Sequence, residues 1–349
     1  MRVRSRPQLS ALAAVVLLAA SCGSPVAPAA PAAPAVVEER RLAMGSELHL
    51  TARTAEAPRA RAAFAAAFAE VERLEALLST WRPASDVSRL NAAAGGAPVP
   101  VRADTRAVLR AAAQVSAWTD GKFDVTFGAL AEIWKFDHDQ DNRAPRPAEI
   151  AARLPRVDYR RVVIDDTAGT VAITRPDVRV HLGGIGKGYA VDRAVAILRA
   201  AGLTDFMVQA GGDLYVAGTA GESPWRLGIQ DPRGAPDEPF AVLELSDATF
   251  STSGDYERYF EQDGVRYHHI LDPATGQPAR GTRSVTIVTK EALWADGLST
   301  GVFILGPERG MALVERLPDV EAVIVTAENQ VLVSTGLRDR LVVRRPPTP

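Results

Sequence analysis

Three features of this chain predict an α+β fold. Helix-period patterns gather in the first third, short strand patterns follow one another beyond about residue 160, and no regular strand–helix–strand alternation connects them. The 349 residues are nearly half apolar, with 42 acidic side chains against 40 basic ones. That is a globular composition with enough apolar material for a large core. A balance so near neutrality argues against nucleic acid as a partner, because neutralising phosphates needs a dominant basic surface.

The chain begins with an address. Arg2, Arg4 and Arg6 precede an apolar run over residues 9–20, too short to span a bilayer comfortably. Leu18-Ala19-Ala20-Ser21-Cys22 then resembles a bacterial lipoprotein signal, in which the cysteine is lipidated and becomes the mature N-terminus. The leucine stands one place further from the cysteine than that pattern usually has it. Cys22 is the only cysteine, so it has no thiol to pair with. Residues 1–22 are therefore expected to be a signal peptide and residues 23–38, rich in Ala and Pro, an extended tether. Residues 39–345 form the predicted folded domain. The expected location is outside the cytoplasm, at a membrane or cell surface, anchored through lipid on Cys22.

Within the folded part, residues 57–81 predict a helix, with Pro58 near its start and Phe64, Phe68, Val71, Leu74 and Leu78 spaced by three and four. A second helix is expected from Asp104 as N-cap, presenting Val108, Leu109, Ala112, Val115 and Trp118 before Gly121 ends it. Residues 162–164 and 171–173 flank a turn and read as a hairpin. Further strands are expected near 206–208, 214–216, 225–229, 240–245, 265–270, 285–288, 320–325 and 331–333. Helices should follow Gly188 and Leu293 and cover 307–317. The final Arg344-Arg345-Pro346-Pro347 reads as a frayed end.

Several motifs fail on inspection. His181-Leu182-Gly183-Gly184-Ile185-Gly186-Lys187-Gly188 lacks the Ser/Thr after the lysine of a Walker loop, and Tyr189 stands where a Rossmann fingerprint needs its third glycine. What remains is a glycine cluster between a strand and a helix, which could admit phosphate to backbone amides or could be a tight turn. Asp137-His138-Asp139-Gln140-Asp141-Asn142 starts like a calcium loop, but position six is Asn142 and position twelve Ala148. The five histidines show no zinc-ligand spacing, and no Gly-x-Ser-x-Gly elbow occurs.

A series of segments, in order from Met44-Gly45-Ser46 to residues 295–300, resembles the ApbE-type FAD:protein FMN transferases. They begin with Met44-Gly45-Ser46, include Leu78-Ser79-Thr80-Trp81-Arg82-Pro83 with Ser88-Arg89-Leu90-Asn91, and continue with Gly121-Lys122-Phe123-Asp124-Val125-Thr126. Then come residues 182–192, Gly211-Gly212-Asp213, Thr252-Ser253-Gly254-Asp255 and His269-Ile270-Leu271-Asp272-Pro273-Ala274-Thr275-Gly276, and the series ends at Ala295-Asp296-Gly297-Leu298-Ser299-Thr300. The resemblance implies a large, mainly antiparallel sheet with flanking helices. It implies FAD bound in a cleft as substrate, its diphosphate bridged by one Mg²⁺ held by Gly184, Asp296 and Thr300, with Gly186 the alternative carbonyl donor. Asp296 and Thr300 are four apart, hence on one helix face, and carbonyl, carboxylate and hydroxyl are the hard oxygens Mg²⁺ prefers.

Carried over residue by residue, Met44 and Trp81 would line or stack on the flavin, Trp81 replacing the more usual tyrosine. Lys122, Phe123, Asp124 and Ile270 would contact FAD, while Lys187 and Tyr189 would sit beside its phosphates. His181 stands where an aspartate is common. Thr252 and Ser253 would support the cleft. The implied reaction moves FMN onto a Thr or Ser hydroxyl of an acceptor protein and releases AMP, with His269 as candidate base and Asp272 orienting or replacing it. FAD hydrolysis to FMN and AMP, and a non-catalytic flavin carrier, remain open alternatives.

Overall fold

A computed structural model of the chain describes residues 33–136, 139–235 and 238–349. The leader, Cys22, most of the tether and the Asp137-His138 pair lie outside the described residues. Among these residues, eight strands form one sheet. Numbered along the chain, they are β1 (Ala35–Ala43), β2 (Ser46–Thr54), β3 (Asp205–Ala210), β4 (Asp213–Ala217), β5 (Ala248–Gly254), β6 (Thr282–Thr289), β7 (Glu321–Thr326) and β8 (Val331–Val333). Their order in space is their order in sequence, and every neighbouring pair is antiparallel. The expected large antiparallel sheet is present.

Period-two alternation gives this sheet two different faces. Ile287 and Ile324 join one core, shared with the helices, while Val288, Val323 and Val325 join a second. The helical layer consists of α1 (Ala57–Leu78), α2 (Ala103–Trp118), α3 (Gly186–Ala200) and α4 (Ala292–Leu305). Phe64, Phe68, Val71, Leu74 and Leu78 are all buried, as their spacing predicts. The second core is closed by a three-stranded sheet, Trp225–Gln230, Pro239–Leu245 and Val342–Val343. No helix among the described residues is long and apolar enough to cross a membrane.

The structure corrects the reading of the sequence at several points. The folded body starts earlier than expected, because residues assigned to the tether already pair in β1 from Ala35. The first helix stops at Leu78, where Ser79 turns extended (ψ 135°). In the second helix the N-cap is Arg102, not Asp104; the Asp104 carboxylate instead accepts bonds from Tyr189 and Arg73. The C-terminus is not frayed. The Arg344 N–H donates to the Phe240 carbonyl (2.8 Å), and the buried Asp231 carboxylate receives both the N–H and the hydroxyl of Thr348.

Candidate active site

The glycine-rich turn leads straight into α3. The His181 N–H donates to the Val125 carbonyl (2.7 Å), and the Gly183 N–H donates back to His181 Nδ1 (3.1 Å). Gly188, in the first turn of α3, lies against α4 so closely that a Cβ there would stand 2.1 Å from the Ala292 carbonyl oxygen. Glycine is required because the two helices meet backbone to backbone. The contact is secured by Asp192, whose carboxylate accepts the N–H groups of Ala292 (2.8 Å) and Leu293 (2.9 Å) at the start of α4.

Burial pushes the Asp192 carboxyl up to about 6 from an ordinary 3.8, even though both backbone N–H groups favour its charged form. A raised carboxyl pKa means that the protonated fold is the more stable one. The contribution is complete below about pH 4, declines as pH rises toward about 6, and is absent above it. We expect Asp192→Asn to gain about 2–3 kcal/mol on the native chain between pH 4 and 7. Urea denaturation across that range measures the difference; parallel pH curves for the two proteins would refute the assignment.

The three residues predicted to hold a metal converge at this helix junction. Asp296 is 3 % exposed; its Oδ2 accepts the Gly188 N–H (2.8 Å), and its Oδ1 lies 3.8 Å from Lys187 Nζ. Thr300 follows one turn later, and a Cβ placed on Gly184 would stand 3.5 Å from its Oγ1. Thr300 Oγ1 is also 3.2 Å from Ser253 Oγ, which in turn lies 2.8 Å from Ser299 Oγ. Lys187 donates to Asp213, whose other oxygen accepts from Ser251. Burial raises the Asp296 pKa, and the nearby Asp213 adds to it. For Lys187, burial opposes the charge, but Asp213 and Asp296 outweigh it and raise its pKa, so it stays an ammonium. Among the described residues no three His, Cys, Asp or Glu side chains group as a metal cage. The donor set of carbonyl, one carboxylate and hydroxyl nevertheless fits a hard divalent cation, which would relieve the crowding of Asp296 against Asp213.

The other predicted contacts divide. Phe123 is buried beneath the turn, its Cε2 3.4 Å from a Cβ placed on Gly184. Met44 occupies the two-residue turn between β1 and β2 with φ +51°, a conformation rare outside glycine. Its N–H donates to Glu75 (3.0 Å), and its methyl lies 3.8 Å from a Cβ placed on Gly186. Trp81 is 56 % exposed just beyond α1. Ile270 is buried, with its carbonyl accepting from Ala279 (2.9 Å).

Three predicted contacts, Asp124, Tyr189 and Lys122, have partners elsewhere. The Asp124 carboxylate is engaged within the fold: Thr126 donates both N–H (2.7 Å) and hydroxyl (2.6 Å) to one oxygen, and the Tyr159 N–H (2.8 Å) donates to the other. Tyr189 points away from Lys187, because residues two apart lie on opposite sides of a helix; its hydroxyl donates to Asp104 (2.7 Å) on α2.

His269 carries its ring against the Arg258 carbonyl, 3.3 Å from Nδ1. That bond needs the proton on Nδ1 and leaves the Nε2 lone pair available. Enclosure by protein, with Arg258 and His268 beside it, holds its pKa well below the usual imidazole range. Asp272 does not orient it. Both Asp272 oxygens accept from Lys122 Nζ, each at 2.8 Å, and one also receives the Ala274 N–H (2.9 Å). The pair ties the 121–124 turn to the 269–276 loop, and it also removes Lys122 as a freely available cation. Both side chains are mostly buried, 21 % and 15 % exposed. A double-mutant cycle of Lys122→Met and Asp272→Asn should return a coupling of about 1–2 kcal/mol; strict additivity would show that the pair fixes nothing.

Asp213 and Asp192 lie within the family-like motifs, though nothing local sets their roles, and Ser251 lies outside them. Asp213 had a signal in Gly211-Gly212-Asp213. Ser251 had none, since its partner lies 38 residues away.

The chain matches the family model described as the ApbE family over residues 44–324. It is 35% identical over 295 residues to the FAD:protein FMN transferase of Treponema pallidum (strain Nichols), covering 80% of this chain and 81% of that protein. To the Vibrio cholerae protein of the same name it is 36% identical over 248 residues, 70% and 74% of the two chains. The crystal structure of the ApbE protein from Thermotoga maritima superposes with a TM-score of 0.81 at 35% identity, over 88% of this chain and 99% of that one. The flavin transferase ApbE from Vibrio cholerae gives 0.78 at 28% identity, again over 88% and 99%. With the family model spanning most of the chain and such relatives on both sequence and fold, this chain belongs to the ApbE family.

Proposed function

We propose that this chain is a FAD:protein FMN transferase, exported and held at a membrane by lipid on Cys22. One observation carries the catalytic reading: in a member of this family, Gly184, Thr300 and Asp296 meet at the N-terminus of α3, a place suited to a diphosphate. Mg²⁺ is the cation these oxygens would hold, and when bound it would draw negative charge off the diphosphate. Lys187, held as an ammonium by Asp213, adds a fixed positive charge beside them. The exposed ring of Trp81 and the side chain of Met44 offer apolar surface to an isoalloxazine.

In the reaction, the hydroxyl oxygen of an acceptor Thr or Ser bonds to the phosphorus of the FMN half. The bond from that phosphorus to the bridging oxygen breaks, and AMP leaves with that oxygen. The hydroxyl proton passes to His269 Nε2, the ring being fixed by its Nδ1–H bond to the Arg258 carbonyl.

The test uses the full chain with FAD, Mg²⁺ and a candidate acceptor protein carrying a flavinylation-type Thr/Ser motif. Flavin fluorescence retained on denatured acceptor supports transfer. AMP released without labelling identifies a hydrolase, and unchanged FAD identifies a carrier.

A further inference from the structure

A cavity of about 210 Å³ is lined by Arg233, Arg266, Arg280, Arg283, Asp255 and Thr282, among others. None of these residues belongs to the cleft described above, although His268 in its wall is the neighbour of His269. The cavity's lining therefore includes four arginines and a single carboxylate residue.

The pairing leaves charge over. Asp255 is bound by both nitrogens of Arg233, each at 2.7 Å, and lies 4.0 Å from Arg266. Arg266 takes its own partner, Glu261, at 3.1 Å. Arg280 donates to the Arg266 carbonyl (2.9 Å) and lies over the Tyr267 ring. Arg283 donates to the Asn329 side-chain oxygen and to the Thr348 carbonyl, both at 3.0 Å. All of these acceptors are neutral. Among the described residues, neither Arg280 nor Arg283 has a carboxylate within ion-pair distance. Burial and the repulsion of Arg233 pull the Arg283 pKa down, and Asp255, Asp231 and Glu328 offset this only in part. Thr282, only 4 % exposed, contributes a hydroxyl with no hydrogen-bond partner. It stands where the register between β6 and β7 shifts.

We propose that this cavity binds a phosphate group, either free or as the end of a small phosphomonoester. A dianionic tetrahedral group presents several acceptor oxygens to forks arriving from different segments, and its charge matches the two guanidiniums that form no ion pair among the described residues. A lone carboxylate would satisfy only one of them. The volume is below that of sites that enclose drug-sized ligands, so the occupant is a phosphate with at most a short attached group. This site is independent of the flavin reading.

Isothermal titration of the full chain with inorganic phosphate at low ionic strength tests it. We expect one saturable site, weakened about tenfold or more by Arg280→Gln and by Arg283→Gln. Arg280 is exposed and bonded to one carbonyl, so its variant should melt as the native chain does without phosphate. Saturating FAD should leave the phosphate affinity unchanged. Tighter binding of glycerol 3-phosphate than of phosphate assigns the site to a phosphomonoester, and the reverse order assigns it to free phosphate. The proposal is overturned by absence of saturable binding, by unaltered affinity in both variants, or by competition from FAD. Acetate binding as tightly as phosphate overturns it too, in favour of a docking surface for acidic peptides.

Discussion

Asp296→Asn should lower FMN transfer to an acceptor by about 10³-fold while leaving the protein folded. The substitution keeps the shape, and an amide oxygen can still accept the Gly188 N–H that Asp296 now receives at 2.8 Å. What it removes is the anion at the α3–α4 junction. In the fold without a divalent cation that anion is a burden, since burial and Asp213 both disfavour it. The stability of the metal-free variant should therefore equal or exceed that of the native chain. A transfer assay on denatured acceptor, run alongside thermal melts with and without Mg²⁺, reads both effects. Undiminished transfer would remove Asp296 from the metal site, whereas a variant that melts far lower would make it a structural residue.

Gly188→Ala should destabilise the chain by about 3 kcal/mol or more and abolish activity in whatever remains folded. The new methyl would lie 2.1 Å from the Ala292 carbonyl oxygen, 2.6 Å from its carbon and 2.8 Å from Asp296 Cβ. Two of these obstacles are backbone, so relief requires α3 and α4 to part, and that separation displaces Asp296 from the Gly188 N–H that it accepts. Gly183→Ala is the useful contrast. Its methyl would approach His181 Cε1 at 2.7 Å, but a ring at the end of a side chain can swing aside. Urea midpoints at unchanged slope would report the two costs. Equal midpoints for both variants would show that the helix junction is looser than its geometry implies.

Where local pattern was strong, the fold could be read directly. The apolar stripe of α1 repeats every three to four residues and is buried throughout. The hairpin Val162–Asp165 with Thr170–Ile173 forms around its polar turn as expected. β2 escaped notice despite the alternating Leu48, Leu50 and Ala52 that it buries, while two other missed strands carry weak patterns. In β1 only Val37 is buried, because an edge strand has one open side and needs little apolar material. In β5, Ala248–Gly254, small polar residues replace the usual branched ones, and Ser251 and Ser253 serve the site instead. The C-terminal residues resembled a loose tail, since nothing local reveals that Asp231 will hold Thr348 from 117 residues away.

The candidate site divides along the same line. By itself the sequence determined the α+β class, the glycine turn entering a helix, the one-face spacing of Asp296 and Thr300, and the order of motifs that marks the family. These are local properties, written in neighbouring residues and in helix and strand periodicity. Only the tertiary structure decided which charged groups remain for chemistry. It spent Asp124 on a turn and Asp272 on Lys122, 150 residues away, and it turned Tyr189 toward Asp104. It left Asp296 crowded against Asp213 with Lys187 nearby. A side chain's partner depends on which distant segments the core brings beside it, and that allocation is settled by packing, not by spacing along the chain.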